Sequence, residues 1–156
     1  MMTKVLRFAL LLLLAAPAYA DETLSISGTI AKPLKLTVAE LAAMPQTEMA
    51  VSFINGKGKE EAVYKGPLLW AVLQRVALTD KQKNAALHHS LLVRSSDDYV
   101  ITMSLAELDP DYGNAQVIVA LTRDNVAISD GGMRLIVGGD KHGGRAVRKL
   151  AAVEIK

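Results

Sequence analysis

Arg134-Leu135-Ile136-Val137 runs directly into Gly138-Gly139-Asp140-Lys141-His142-Gly143-Gly144, and Arg145 and Arg148 follow. The first four residues read as a buried β-strand, and a seven-residue loop with four glycines then separates it from the arginines. Glycines let backbone donors approach a ligand closely, and clustered arginines grip planar or anionic groups with forked geometry. A polar heterocycle or a phosphate fits that pattern. So does a glycine-rich hairpin whose arginines are solvated, and composition alone does not separate the two. The loop lacks the terminal Gly-Lys-Ser/Thr of a P-loop and the spacing of a dinucleotide fingerprint.

Working outward, Val117 to Leu121 is a second apolar, β-rich run. Leu91 to Val93 and Val100 to Met103 flank Ser95-Ser96-Asp97-Asp98, which predicts a hairpin. Leu24 and Ile26, with Ile30 less cleanly, alternate with polar neighbours as a first strand, and Met49, Val51 and Phe53 do so as a second. That second strand is expected to end in a loop at Asn55-Gly56-Lys57-Gly58-Lys59. Thr37 with Glu40 and Ser104 with Glu107 are capping boxes for short helices, stopped near Pro45 and Pro110. Gly66-Pro67 is expected to open the best helix, with Leu69, Val72, Leu73 and Val76 on one face and Trp70 at the stripe's edge. The result is one α+β domain over residues 21–156, a run of short strands interrupted by short helices.

The chain has 156 residues, 18 Lys and Arg, 16 Asp and Glu, and no cysteine. Residues 1–20 carry Lys4 and Arg7, an apolar run from Phe8 to Ala16, and Ala18-Tyr19-Ala20, which together predict a secretory signal peptide cleaved after Ala20. Its removal takes two basic residues and no acid, leaving 16 of each sign, so bulk charge argues for neither nucleic acid nor an anionic membrane. The expected location is the periplasm, without membrane insertion after cleavage. The missing cysteine excludes a disulfide framework, a thiolate metal site and a Cys nucleophile.

Other constellations are weaker. His88 and His89 are adjacent, so on a strand they would face opposite ways and not chelate one metal, and solvated residues are expected there. His142 shares its loop with Asp140 and Arg145, which suits ligand contact. Asp97-Asp98 resembles an acid–base pair but suits turn capping better, and no serine lies in a nucleophile elbow. The sequence offers a pocket without an evident reactive group.

Leu34-Lys35-Leu36-Thr37 with Leu41 and Pro45, Tyr64-Lys65-Gly66-Pro67-Leu68-Leu69-Trp70, Ser96-Asp97-Asp98-Tyr99, Arg134 to Val137, Gly144 to Leu150 and Glu154-Ile155 follow a recognisable order. That order resembles the sulfite-oxidase-type molybdopterin-binding domain family across nearly all of residues 24–156. The resemblance implies a compact, mainly β domain with a pterin cleft, in which Arg134 faces the pterin, Arg145 and Arg148 belong to the terminal binding loop, and Asp97 to Tyr99 line the wall. Trp70, Tyr99 and Tyr112 are the candidates for stacking on the flat ligand, and His142 for polar contact. Two departures stand out. The family's enzymes bind molybdenum through a cysteine from the loop after the second strand, around Phe53 to Gly56 here, where this chain has none. The family's proline near the end of the Arg134 strand is Gly138.

Small exported members without the cysteine look like pterin-binding regulators, some similar to partners of membrane diguanylate cyclase/phosphodiesterase proteins in biofilm signalling. The leading expectation is therefore a periplasmic, non-catalytic pterin sensor that acts on the periplasmic domain of such a partner and holds no molybdenum. The alternatives are a degenerate molybdopterin-dependent oxidoreductase or its accessory subunit, and an interaction module with an empty cleft.

Overall fold

The computed structural model describes residues 22–130 and 132–156. The expected signal peptide at 1–20 lies outside the described residues. Strand β1 (Thr23–Gly28) pairs antiparallel with β2 (Leu34–Thr37), whose last residue caps α1 (Val38–Ala42). Both arms of that capping box form: the Glu40 amide donates to the Thr37 hydroxyl at 3.2 Å, and the Thr37 amide donates to the Glu40 carboxylate at 2.8 Å.

Next come β3 (Thr47–Asn55) and β4 (Gly58–Gly66), a hairpin in unbroken register. Strand β4 corrects the sequence reading, which placed a loop at 55–59 and no strand after it. Its charged opening, Lys59-Glu60-Glu61, hid a period-two pattern in which Ala62, Tyr64 and Gly66 are buried while Lys59, Glu61 and Val63 are exposed.

Helix α2 (Leu69–Leu73) is a second correction, since it is two residues late at its start and ends before Val76. Leu68 bridges Ile118 and the Pro67 carbonyl accepts from the Val119 amide at 2.9 Å, so 66–68 still run along a neighbouring strand. Beyond Leu73 the turn tightens, and the Ala77 carbonyl and Thr79 amide are taken by Ala31 and Thr29. Tertiary pairing has outweighed helix propensity at both ends.

After a 3-10 turn at Ala85–His88, β5 (Ser90–Ser95) and β6 (Val100–Ser104) form the expected hairpin, and α3 (Leu105–Leu108) follows its own complete capping box. The remainder is β7 (Val117–Ala120), the short pair β8 (Thr122–Arg123) and β9 (Val126–Ala127), β10 (Arg134–Val137), a 3-10 turn at Gly143–Arg145 and β11 (Leu150–Ile155).

The strands form one sheet in the order β2-β1-β11-β5-β6, another in the order β3-β4-β8-β9, and the ribbon β10-β7. Every residue of β7 and β10 is buried, and alternate residues serve two cores. Val117, Val119, Leu135 and Val137 join the larger core with Leu24, Leu91 and Val153, while Ile118, Ala120 and Ile136 join a smaller one with Met49, Ala62 and Tyr64. A ribbon covered on both faces needs the continuous apolar runs that the sequence shows. Strand parity puts Arg134 on the same face as Ile136, toward the β3–β4 hairpin.

Gly66 permits that hairpin to close on the ribbon, because a Cβ there would lie 1.9 Å from the Val119 carbonyl oxygen. Replacing Gly66 by Ala should therefore lower stability by about 3 kcal/mol or prevent folding, as strong overpacking does. Gly56→Ala, where a Cβ meets nothing within 4 Å, should change it by no more than about 0.5 kcal/mol. Urea denaturation of the two variants checks this, and equal stabilities would disprove the contact.

Candidate functional site

Arg134 enters the smaller core as a cation only 7% exposed. Burying a guanidinium is tolerated only with partners, and β4 supplies most of them. Its Nη1 donates to the Tyr64 hydroxyl at 2.7 Å and lies 3.6 Å from Glu60 Oε1, while Nη2 donates to Asp130 Oδ2 at 2.7 Å. The guanidinium carbon sits 5.8 Å from the Tyr64 ring centroid, adding a cation–π contact. The Tyr64 hydroxyl donates in turn to Glu60. Burial first, and that bond to a carboxylate second, push the Tyr64 phenol up to about 12, so it is a proton donor at neutral pH. Arg134 Nε is buried and finds no hydrogen-bond partner among the described residues.

Around this cluster the chain leaves a narrow cavity of about 40 Å³, lined among others by Phe53, Asn55, Tyr64, Arg134, Gly143 and Arg148. It shares Asn55, Glu60, Arg134 and Arg148 with an open cleft of about 350 Å³ that also meets Lys57 and Arg123. A second recess of about 350 Å³, lined by residues of β8–β9 and the segment after them, also meets Asp130 and Arg134. Gly143 shapes the inner cavity, since a Cβ there would lie 3.0 Å from the Phe53 ring and 3.3 Å from the Asn55 Cβ. The Ile54 amide donates to the Lys141 carbonyl at 3.0 Å, which fastens the glycine loop to the end of β3. The segment 53–56, where the resemblance places a metal-binding cysteine, thus abuts the buried arginine.

Of the residues singled out from sequence, the fold brings Arg134 and Arg148 to one cavity. Arg148 is exposed and forms no ion pair among the described residues. Arg145 is turned to Asp140, with Nε and Nη2 donating at 3.0 and 2.6 Å, and its Nη1 reaches Glu107 at 3.3 Å. It clips the glycine loop to α3. Tyr99 donates to the Gly144 carbonyl at 2.6 Å, and Asp97 accepts from Ser95 and pairs with Lys149 at 3.6 Å. Tyr99 thus holds the glycine loop from the β5–β6 turn, while Asp97 braces that turn and ties it to Lys149. His142 is exposed and bridges Ile54 through its backbone.

Trp70 lies elsewhere, half-buried in a cleft of about 420 Å³ with Leu73, Leu78 and Asp80, while Tyr112 is 43% exposed. His89 departs from the solvated state expected of it: its side chain is 9% exposed, with Nε2 3.1 Å from Asp80 and Nδ1 2.7 Å from the Lys156 carbonyl. Sequence reasoning missed Glu60, Tyr64 and Asp130 as partners of Arg134. The inward alternation of Glu60, Ala62 and Tyr64 would have found the first two.

No family model matches the chain, and no curated protein matches it in sequence. Among solved structures it is similar to the sulfane dehydrogenase SoxCD from Paracoccus pantotrophus, with a TM-score of 0.72 and 17% identity over 88% of this chain. The fold is of the sulfite-oxidase type. The chain spans 39% of that neighbour's length.

A thiolate-bound molybdenum does not fit the donors gathered here. Phe53 and Asn55 stand where a soft ligand would be needed, and the cavity offers an amide, a carboxylate, a phenol and guanidinium groups. A group bearing acceptors suits them better, because Arg134 Nε is a buried donor without a hydrogen-bond partner among the described residues.

The Tyr64 phenol ties the site to pH. An unfolded tyrosine titrates at 10.0 and the folded one near 12, so between these values the unfolded chain has lost a proton that the folded chain keeps. Stability from this group is complete below pH 10 and falls as pH rises toward 12. Urea titrations across that window should show Tyr64→Phe losing less stability with pH than the parent. Parallel slopes would mean that Tyr64 ionises as freely as a surface phenol.

Proposed function

We propose that the protein is a periplasmic, non-catalytic pterin-binding protein that senses a pterin and regulates a membrane cyclic-di-GMP-metabolising partner. The observation that carries the reading is the Nε of buried Arg134, which has no hydrogen-bond partner among the described residues. An unsatisfied buried donor costs ~1–3 kcal/mol, and a ligand acceptor would recover much of it. The basic residues Lys57, Arg123 and Arg148 beside the open cleft favour a ligand bearing acceptors. Its volume of about 350 Å³ suits a small heterocycle. In this reading Arg134 and Arg148 bind the heterocycle, Tyr64 and Glu60 hold the Arg134 guanidinium in place, and Gly143 leaves room beside Phe53. With no thiolate in the chain, binding rather than oxygen-atom transfer is the activity.

Arg134→Ala should weaken pterin binding by ~1.5–3 kcal/mol, about 10- to 150-fold. Arg148→Ala, at an exposed residue, should weaken it less and leave the fold intact. Calorimetric titration with oxidised and reduced pterins is the measurement. A folded parent protein that binds no pterin would end the reading.

A second reading, an accessory subunit of a molybdenum enzyme or a degenerate oxidoreductase, is favoured by the solved neighbour being a dehydrogenase. Elemental analysis of protein purified from a molybdenum-replete host separates the two. The sensor reading expects bound pterin without stoichiometric molybdenum. About one molybdenum per chain, with turnover of sulfite or a sulfoxide, would establish the second.

A further inference from the structure

We propose that the outer edge of β3 binds an extended, acidic segment of a partner protein by strand addition. Regular pairing gives alternate residues of a strand to opposite sides. Ile54 fixes the parity, because its amide turns away from β4 to reach the Lys141 carbonyl. Glu48, Ala50 and Ser52 share that parity and are exposed, and their outward amides and carbonyls have no backbone partner among the described residues. Natural sheets guard such edges with short strands, lysines, prolines or bulges. Here β2 has four residues including Lys35 and β9 has two, whereas β3 has nine in regular register without Pro or Lys.

The open edge runs into a hollow of about 350 Å³ lined by Ser52, Phe53, Ile54, Lys59 and Lys141. Ile54 is 55% exposed there, and Lys141 forms no ion pair among the described residues. Main-chain groups demand an extended backbone, the hollow takes an apolar side chain, and the lysine favours a neighbouring Asp or Glu. Those three features select the occupant. The proposal is independent of any pterin in the cleft, since the edge uses β3 backbone groups that face away from β4.

The probe is an acetylated, amidated peptide of about eight residues, alternating Val and Thr and ending Leu-Asp-Asp. Hydrogen exchange should be fast at the Ala50 and Ser52 amides of the free protein and slow markedly when the peptide is added. Lys141→Glu should weaken the peptide about fivefold. Ala50→Pro removes an outward donor that β4 does not use, so it should abolish binding with an unchanged circular dichroism spectrum. A peptide with Lys in place of Asp should fail to bind. No protection of those amides at about 1 mM peptide would overturn the proposal. So would protection by self-association without peptide, which would make the occupant a second copy of the chain.

Discussion

A guanidinium buried in a ribbon that is covered on both faces is the constraint around which the rest is arranged. Without partners its desolvation would cost several kcal/mol, and removing one partner would leave a charge stranded. The placement of those partners follows from backbone geometry. Arg134 is the register neighbour of Ala120, and Gly66 packs against Val119 and Ala120. Two residues back on the same face of β4 is Tyr64, and four further is Glu60, so the close approach at Gly66 brings both to the guanidinium. Asp130 supplies the last charge from the segment leading into β10. A larger residue at 66 would act on the site without touching it.

Much of this fold could be read from the sequence where local chemistry and tertiary packing agree. The capping boxes at Thr37 and Ser104, the β5–β6 hairpin and the apolar runs of β7 and β10 are of that kind. Disagreement explains the failures. Strand β4 carries three charged residues straight after Gly58 because Lys59 and Glu61 face solvent and pair at 2.6 Å, while Glu60 turns inward to the arginine. The α2 pattern continues to Val76, but residues 77–79 are captured by 29–31. Both depend on pairings distant in the chain, which periodicity does not encode.

The same distinction runs through the site. Arg134 stood out because its strand runs into a glycine-rich loop followed by further arginines, and Gly143 belonged to that loop. Trp70, Tyr99 and Arg145 stood out by residue type, yet the fold uses Tyr99 and Arg145 to fasten the glycine loop and seats Trp70 in a separate cleft. Residue type indicates what chemistry a side chain can do. Only topology decides whether a neighbour has already used it.

At the end of β3, where the resemblance places a metal-binding cysteine, this chain carries Phe53-Ile54-Asn55-Gly56. Asn55 donates from its Nδ2 to Glu60 Oε2 at 2.7 Å, and its Oδ1 accepts from the Lys57 amide at 2.8 Å. Its polar atoms are therefore spent on the hairpin turn and on the carboxylate that balances Arg134. A thiolate at this end of the strand would add a negative charge beside Glu60, the carboxylate that lies against Arg134 and Arg123. An amide adds none, and through Glu60 it steadies the Tyr64–Arg134 network instead. The buried side-chain group left without a hydrogen-bond partner among the described residues is a donor, Arg134 Nε. A buried donor of that kind is relieved only by an acceptor brought to it.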